Sequence, residues 1–108
     1  MRDFNVNVSN FADRTIVTVS GELDFDTCPQ VTEVTDSLTL RKSTLVLDLS
    51  DVSFMDSVSL TMLLRLRERT QSDNCALELH SLQDPVRRVL DVTGAANLFV
   101  IHPDQAAA

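Results

Sequence analysis

The sequence predicts a single α/β domain, and three features of the chain support this fold class. The chain has 108 residues, of which 44% are hydrophobic and 23% are charged, as expected for one globular domain with its own core. Short runs rich in valine, leucine and threonine alternate with segments whose apolar residues recur at helical spacing. The resulting order, β-β-α-β-α-β-α-β, predicts a mixed, mostly parallel sheet with a hairpin at its start.

The first two predicted strands form this hairpin. Residues 4–8 alternate polar and apolar side chains, and residues 14–20 are rich in β-branched side chains, so both segments favour extended structure. A turn around residues 10–13 joins the two strands, and we expect Gly21 to end the second one.

A helix and a buried strand are predicted next. Pro29 suits the first turn of a helix, and Val31, Val34 and Leu38 follow it at helical spacing. Residues 44–49, TLVLDL, are almost continuously apolar, which predicts a central strand buried on both faces. Three side chains just before the helix are candidates for its N-cap: Asp24, Asp26 and Thr27.

The second half of the chain continues the alternation. Residues 57–70 have apolar side chains along one face and predict an amphipathic helix, and residues 75–79 predict a strand. A third helix is expected from Asp84 to a left-handed stop at Gly94, and a last strand at residues 98–101.

Net charge and hydropathy exclude several classes of function. A formal charge of −7 repels a phosphate backbone, so we expect no nucleic-acid partner. No apolar stretch approaches the length of a membrane span, and the first residues, MRDFNVNV, lack the apolar run of a signal peptide. We therefore expect a cytoplasmic protein without a membrane partner.

The cysteines and histidines suggest no metal or redox chemistry. Cys28 and Cys75 are far apart and lack CxxC spacing, so both are expected to be buried thiols in a reducing compartment. His80 and His102 have no cysteine or second histidine at ligand spacing, so no metal site is expected. No glycine-rich phosphate loop is present, and no cofactor is predicted.

The segment between the central strand and the second helix is the best candidate for a functional site. Residues 48–60, DLSDVSFMDSVSL, are rich in hydroxyl and carboxyl groups and follow the carboxyl end of a strand, where α/β sheets carry their sites. Asp56 or Ser57 is expected to be the N-cap of the helix. On the residues alone, capping is the simpler interpretation of Ser57. The second interpretation of Ser57 is a phosphorylation site, because the dipole at the N-terminus of a helix tolerates a phosphate.

Three stretches together resemble the bacterial anti-sigma factor antagonists, which are single STAS domains. They are GELD at residues 21–24, DLSDVSFMDS at residues 48–57 and VTGAANLFVI at residues 92–101. The resemblance implies a STAS domain, placed at residues 1–104, with a sheet of four to five strands covered by helices. The short alanine-rich segment at residues 105–108 is expected to be a disordered tail on its composition. The same resemblance implies an anti-sigma factor as partner, usually a serine kinase, and a phosphatase that reverses the phosphorylation.

The resemblance also implies roles for particular residues. Ser57 corresponds to the phosphorylated serine, and the unphosphorylated protein binds the anti-sigma factor and frees its sigma factor. The expected partner surface consists of five residues: Asp24, Asp56, Ser57, Val58 and Ser59. Phe54 and Met55 are expected to pack beneath the loop rather than to touch the partner.

The residues after the acceptor depart from the family pattern. The family commonly has a second small hydroxyl residue and then glycine, whereas this chain has Val58, Ser59 and Leu60. A side chain in place of glycine adds bulk where a kinase approaches. We therefore expect partner binding to survive while phosphorylation becomes slower or passes to Ser59.

Two other classes of function compete with this interpretation. A hydrolase with Ser57 as nucleophile would need a glycine-flanked turn, which is absent, and a nearby base, for which His80 is the candidate. The second competing class is a STAS module that acts in a stress-sensing or transport-associated complex without a phosphorylation switch. We expect a binding protein and not an enzyme. The oligomeric state is not determined by the sequence.

Overall fold

The computed structural model describes residues 3–40 and 43–103, and within them it contains one five-stranded sheet with three α-helices. The elements follow the predicted order and have these bounds: β1 (Asn5–Asn10), β2 (Arg14–Leu23), α1 (Cys28–Asp36), β3 (Thr44–Met55), α2 (Ser57–Ser72), β4 (Ala76–His80), α3 (Asp84–Thr93), a 3₁₀ turn (Ala95–Leu98) and β5 (Val100–His102). The strands lie side by side in sequence order, with β1 antiparallel to β2 and the other neighbours parallel. The predicted fold class is confirmed. The predicted tail at residues 105–108 lies outside the described residues.

The core forms between one face of the sheet and the helices. Leu45, Leu47 and Leu49 alternate along β3 and belong to the same buried cluster as apolar residues from all three helices. The two residues between them, Val46 and Asp48, are also buried, so β3 is covered on both faces over this stretch. This confirms the central strand predicted from TLVLDL.

Strands β2 and β3 extend well beyond their predicted ends. Residues 50–55, expected to be a loop, continue β3 because they pair with the end of β2, where Gly21 lies beside Val52 and Leu23 beside Met55. Gly21 therefore lies inside β2 rather than ending it. Its φ of 108° and the 3.2 Å between a Cβ built there and the Phe4 Cα explain why glycine is needed at this register shift.

The ends of the later elements agree more closely with expectation. The third helix ends at Gly94, whose φ of 77° is the predicted left-handed stop. Leu98 belongs to the 3₁₀ turn and not to the last strand, which begins at Val100. Among the described residues, no helix is long and apolar enough to span a bilayer.

Candidate functional site

Asp56 holds together the loop before α1 and the first turn of α2. Its Oδ1 accepts a hydrogen bond from the Ser59 N–H at 2.8 Å, which makes Asp56 the N-cap of α2. Its Oδ2 accepts another from the Phe25 N–H at 3.0 Å, and its own N–H donates to the Leu23 carbonyl at 3.2 Å. Of the two predicted cap candidates, Asp56 is the cap and Ser57 is the first residue of the helix.

These hydrogen bonds set the charge of the Asp56 carboxyl. Partial burial favours the neutral form, but the N–H groups of Ser59, Phe25 and Val58 outweigh it and lower the pKa of Asp56. The group is therefore a carboxylate at neutral pH. The donors that would otherwise attract an anion to this end of α2 are partly occupied by that carboxylate.

Asp24 builds the loop that carries Phe25. Its Oδ1 accepts hydrogen bonds from the N–H groups of Asp26 at 2.9 Å and Thr27 at 3.1 Å. The Thr27 hydroxyl accepts from the Asp24 N–H at 2.9 Å and donates to the Glu22 carbonyl at 2.7 Å. Thr27 lies at the N-cap of α1 but makes no side-chain cap, because its hydroxyl is used inside this turn.

Ser57 lies exposed among apolar side chains that are also exposed. Phe25 is 65% exposed, Phe54 46% and Val58 50%, and all three lie within three residues of Asp56 or share a hydrogen bond with it. We call Asp24, Phe25, Phe54, Ser57 and Val58 the switch surface. The expectation that Phe54 packs beneath the loop is wrong, because the Phe54 side chain points away from the core. Its neighbour on β2 is Glu22, which is also exposed. Met55 is buried, as expected.

Ser59 does not belong to this surface. It is 0% exposed, and its hydroxyl is enclosed near the Asp56 carboxylate and the Cys28 thiol without a hydrogen bond of good geometry to either. The expectations that Ser59 contacts a partner, or takes over phosphorylation, are therefore corrected. Its side chain also adds no bulk at the surface, whereas that of Val58 is half exposed.

An open groove of about 810 Å³ runs between α1 and α2 beside Val58. Cys28, Met62 and Leu66 supply apolar walls, while Arg69 closes the far end by donating hydrogen bonds to the carbonyls of Thr35 and Leu38. Both cysteines are free and buried, as predicted, and burial raises the pKa of the Cys28 and Cys75 thiols.

The structure separates Ser57 from His80. In the sheet His80 lies beside Asp48, and the rest of β3 separates it from Ser57 by roughly 20 Å at about 3.3 Å per residue. The base that a hydrolase would need is therefore not at Ser57. Instead, strand pairing places His80 beside His102 and next to Glu78, although the spacing of these residues along the sequence did not indicate it.

Two residues of interest were not found from the sequence. Phe25 was missed because its position depends on a hydrogen bond to a residue 31 positions away; its only local signal is an aromatic side chain between two aspartates in a loop. Glu78 was missed because His102 is brought close to it only when β5 pairs with β4.

Comparisons with known proteins agree with this geometry. A family model described as the STAS domain matches residues 5–108. The chain is 27% identical to an anti-sigma-B factor antagonist of Bacillus subtilis over 99 residues, which is 92% of this chain and 91% of that protein. It is 29% identical to the protein of the same name from Listeria monocytogenes over 84 residues, 77% of this chain and 74% of that one. The crystal structure of an anti-sigma factor antagonist from Mycobacterium paratuberculosis superposes with a TM-score of 0.77 at 28% identity, covering 94% of this chain and 86% of that one.

Proposed function

The chain belongs to the STAS domain family, and we propose that it is an anti-sigma factor antagonist switched by phosphorylation of Ser57. In this proposal the unphosphorylated protein binds an anti-sigma factor that is itself a serine kinase, and the bound sigma factor is released. Phosphorylation of Ser57 ends the interaction, and a phosphatase restores it. The protein acts in the cytoplasm, where sigma factors meet their regulators.

The position of Ser57 carries this proposal. Its hydroxyl is exposed at the first residue of α2, while the capping that α2 needs comes from Asp56. Modification of Ser57 therefore leaves the cap in place, and the helix dipole tolerates the added anion. The fold can stay intact while its surface changes, which is what a reversible binding switch requires.

Electrostatics supports loss of binding after phosphorylation. A phosphate brings about −1.5 to −2 charges next to the Asp56 carboxylate, whose pKa is already lowered. Because Asp56 occupies the Ser59 N–H, the phosphate finds few free donors within the protein. A partner surface shaped for a neutral hydroxyl beside one carboxylate would then meet two adjacent anions.

The apolar part of the switch surface supports a protein partner. The exposed side chains of Phe25, Phe54 and Val58 lie around Ser57. Exposed aromatic residues are typical anchors of protein interfaces. The groove between α1 and α2 begins at Val58 and extends this surface. We expect apolar partner residues to cover both phenylalanines and to bring Ser57 to the kinase active site.

Val58 is the local departure that matters for the kinase. The family's glycine position is Ser59 here, and that side chain is buried, so it does not obstruct the approach. Val58 is half exposed directly after the acceptor. We therefore expect slow phosphorylation of Ser57 and none of Ser59.

A binding titration with the cognate anti-sigma factor tests the proposal. Ser57→Ala should keep wild-type affinity, while Ser57→Glu should weaken binding at least about tenfold, because it places charge beside Asp56. Ser9→Glu, at an exposed serine on β1, is the matched control and should bind like the wild type. Equal affinity for all variants would contradict the switch and point to a STAS interaction module without phosphorylation.

Incubation with the kinase and ATP, followed by peptide mapping, tests the acceptor directly. One phosphate on the peptide that contains Ser57, lost in Ser57→Ala, is the expected result. Phosphate on another residue with Ser57 unmodified would overturn the assignment.

A further inference from the structure

Glu78, His80 and His102 form a compact cluster at the β4–β5 edge of the sheet, away from the switch surface at the end of β3. Glu78 and His80 are two residues apart on β4 and share one face of the sheet, and the parallel pairing of β5 places His102 beside His80. Glu78 Oε1 lies 2.9 Å from His80 Nε2 and 3.4 Å from His102 Nε2, and the ring centroids are 4.8 Å apart.

The surroundings of the cluster favour a cation. The Asp48 carboxylate belongs to the strand next to His80, in register with it, and adds negative charge on the same face. The Glu78 carboxylate lies within contact distance of both imidazoles. His102 is exposed and Glu78 is partly exposed, so an ion can enter from solvent.

The geometry points to a binding site for one divalent transition-metal ion of the Zn²⁺ type, held by Glu78, His80 and His102. Two imidazoles and one carboxylate, with a water in the fourth position, are a known donor set for Zn²⁺. Tetrahedral bonds of about 2.0–2.1 Å place ligand atoms about 3.3–3.4 Å apart. The three ligand atoms lie within 4.8 Å of one another, so small side-chain rotations bring them to that spacing.

Burial of His80 both helps and limits the site. The ring is held by the packed protein around it, which orients Nε2 towards Glu78 before an ion arrives. Its Nδ1 is buried without a hydrogen-bond partner, so the second-shell acceptor that usually supports a metal-bound histidine is missing. Such support is worth about 10–100-fold in affinity, and we therefore expect micromolar rather than nanomolar binding. A bound ion would join the short strand β5 to β4.

Titration of the whole chain with ZnCl₂, followed by calorimetry and by NMR of the imidazole nitrogens, tests the site. The chain has two histidines, so the spectrum of His102→Ala assigns the ring signals of both. One equivalent should bind with both imidazoles shifting, whereas MgCl₂ should shift neither, because Mg²⁺ prefers oxygen ligands. The melting temperature should rise with Zn²⁺ concentration, because the ion binds the folded chain.

Variants at the exposed part of the cluster separate this site from other zinc-binding groups. Glu78→Gln and His102→Ala should each weaken Zn²⁺ binding at least about tenfold while the chain stays folded, as checked by circular dichroism. Asp91→Asn, at an exposed carboxylate paired with Arg87, is the control and should bind as the wild type does. No saturable binding up to about 1 mM Zn²⁺, or equal binding by all variants, would overturn the proposal.

Discussion

Asp56→Ala should destabilise the protein more than any other exposed-surface change near the switch surface. The substitution removes the N-cap of α2, a loss of about 0.5–2 kcal/mol. It also removes the hydrogen bond from the Phe25 N–H, which joins the loop before α1 to α2 and, being made to a charged group, contributes about 1.5 kcal/mol or more. We therefore expect a decrease of about 2–3 kcal/mol in the free energy of unfolding, measured by urea titration at neutral pH.

Matched variants and pH make this prediction specific. Asp56→Asn keeps an oxygen for the cap but loses the second acceptor, so it should cost about 1 kcal/mol. Asp26→Ala, in the same loop, should change stability by less than about 0.5 kcal/mol, because its exposed carboxylate holds no backbone donor.

The pH dependence follows from the lowered pKa of Asp56. The charged-group part of its stabilisation is fully present above the ordinary carboxyl pKa of 3.8, and it is lost as the pH falls through the lower folded-state pKa. The difference between the wild type and Asp56→Ala should therefore shrink in acid. A loss below about 0.5 kcal/mol at neutral pH, or a difference that does not change with pH, would refute this account of the site.

Two further predictions concern neighbouring side chains. Phe25→Ala and Phe54→Ala should each weaken binding to the anti-sigma factor by about 1–2 kcal/mol. Phe25→Ala should leave the free energy of unfolding nearly unchanged because that ring is 65% exposed, whereas Phe54→Ala should lower it slightly because the Phe54 ring is about half covered. Phe11→Ala, at the exposed β1–β2 turn, is the control, and equal losses of binding for all three in calorimetry would argue against the switch surface. Ser59→Ala should change the free energy of unfolding by less than about 1 kcal/mol, because the buried Ser59 hydroxyl makes no hydrogen bond of good geometry. A loss above about 1 kcal/mol in thermal unfolding would show that it is hydrogen-bonded to Asp56 or Cys28.

Much of the fold was predictable because its signals are local. The apolar run of residues 44–49 indicated a buried strand, and Gly94 indicated the end of α3, since strand burial and helix termination depend on residues close in sequence. Residues 50–55 were predicted as a loop because their composition is polar. They are a strand because the end of β2 pairs with them, and that pairing has no signal within the segment itself.

The candidate site divides in the same way. Asp56 as cap and Ser57 in the first turn of α2 followed from neighbouring residues, because an N-cap acts on N–H groups two or three residues away. The exposure of Phe54 and the burial of Ser59 did not follow, because the direction in which a side chain points depends on what packs above and below it. The family resemblance indicated a candidate acceptor but not which of its neighbours reach the surface.

By itself, the sequence determined the order of the elements, the family and the place of the candidate phosphorylation site, since periodicity, caps and short motifs are properties of adjacent residues. Tertiary structure alone decided that Phe25 is held by Asp56 and that His102 lies beside His80 and Glu78. The physical reason is that strand register and loop docking join residues far apart in the chain, and their energies come from packing and hydrogen bonds that exist only after folding.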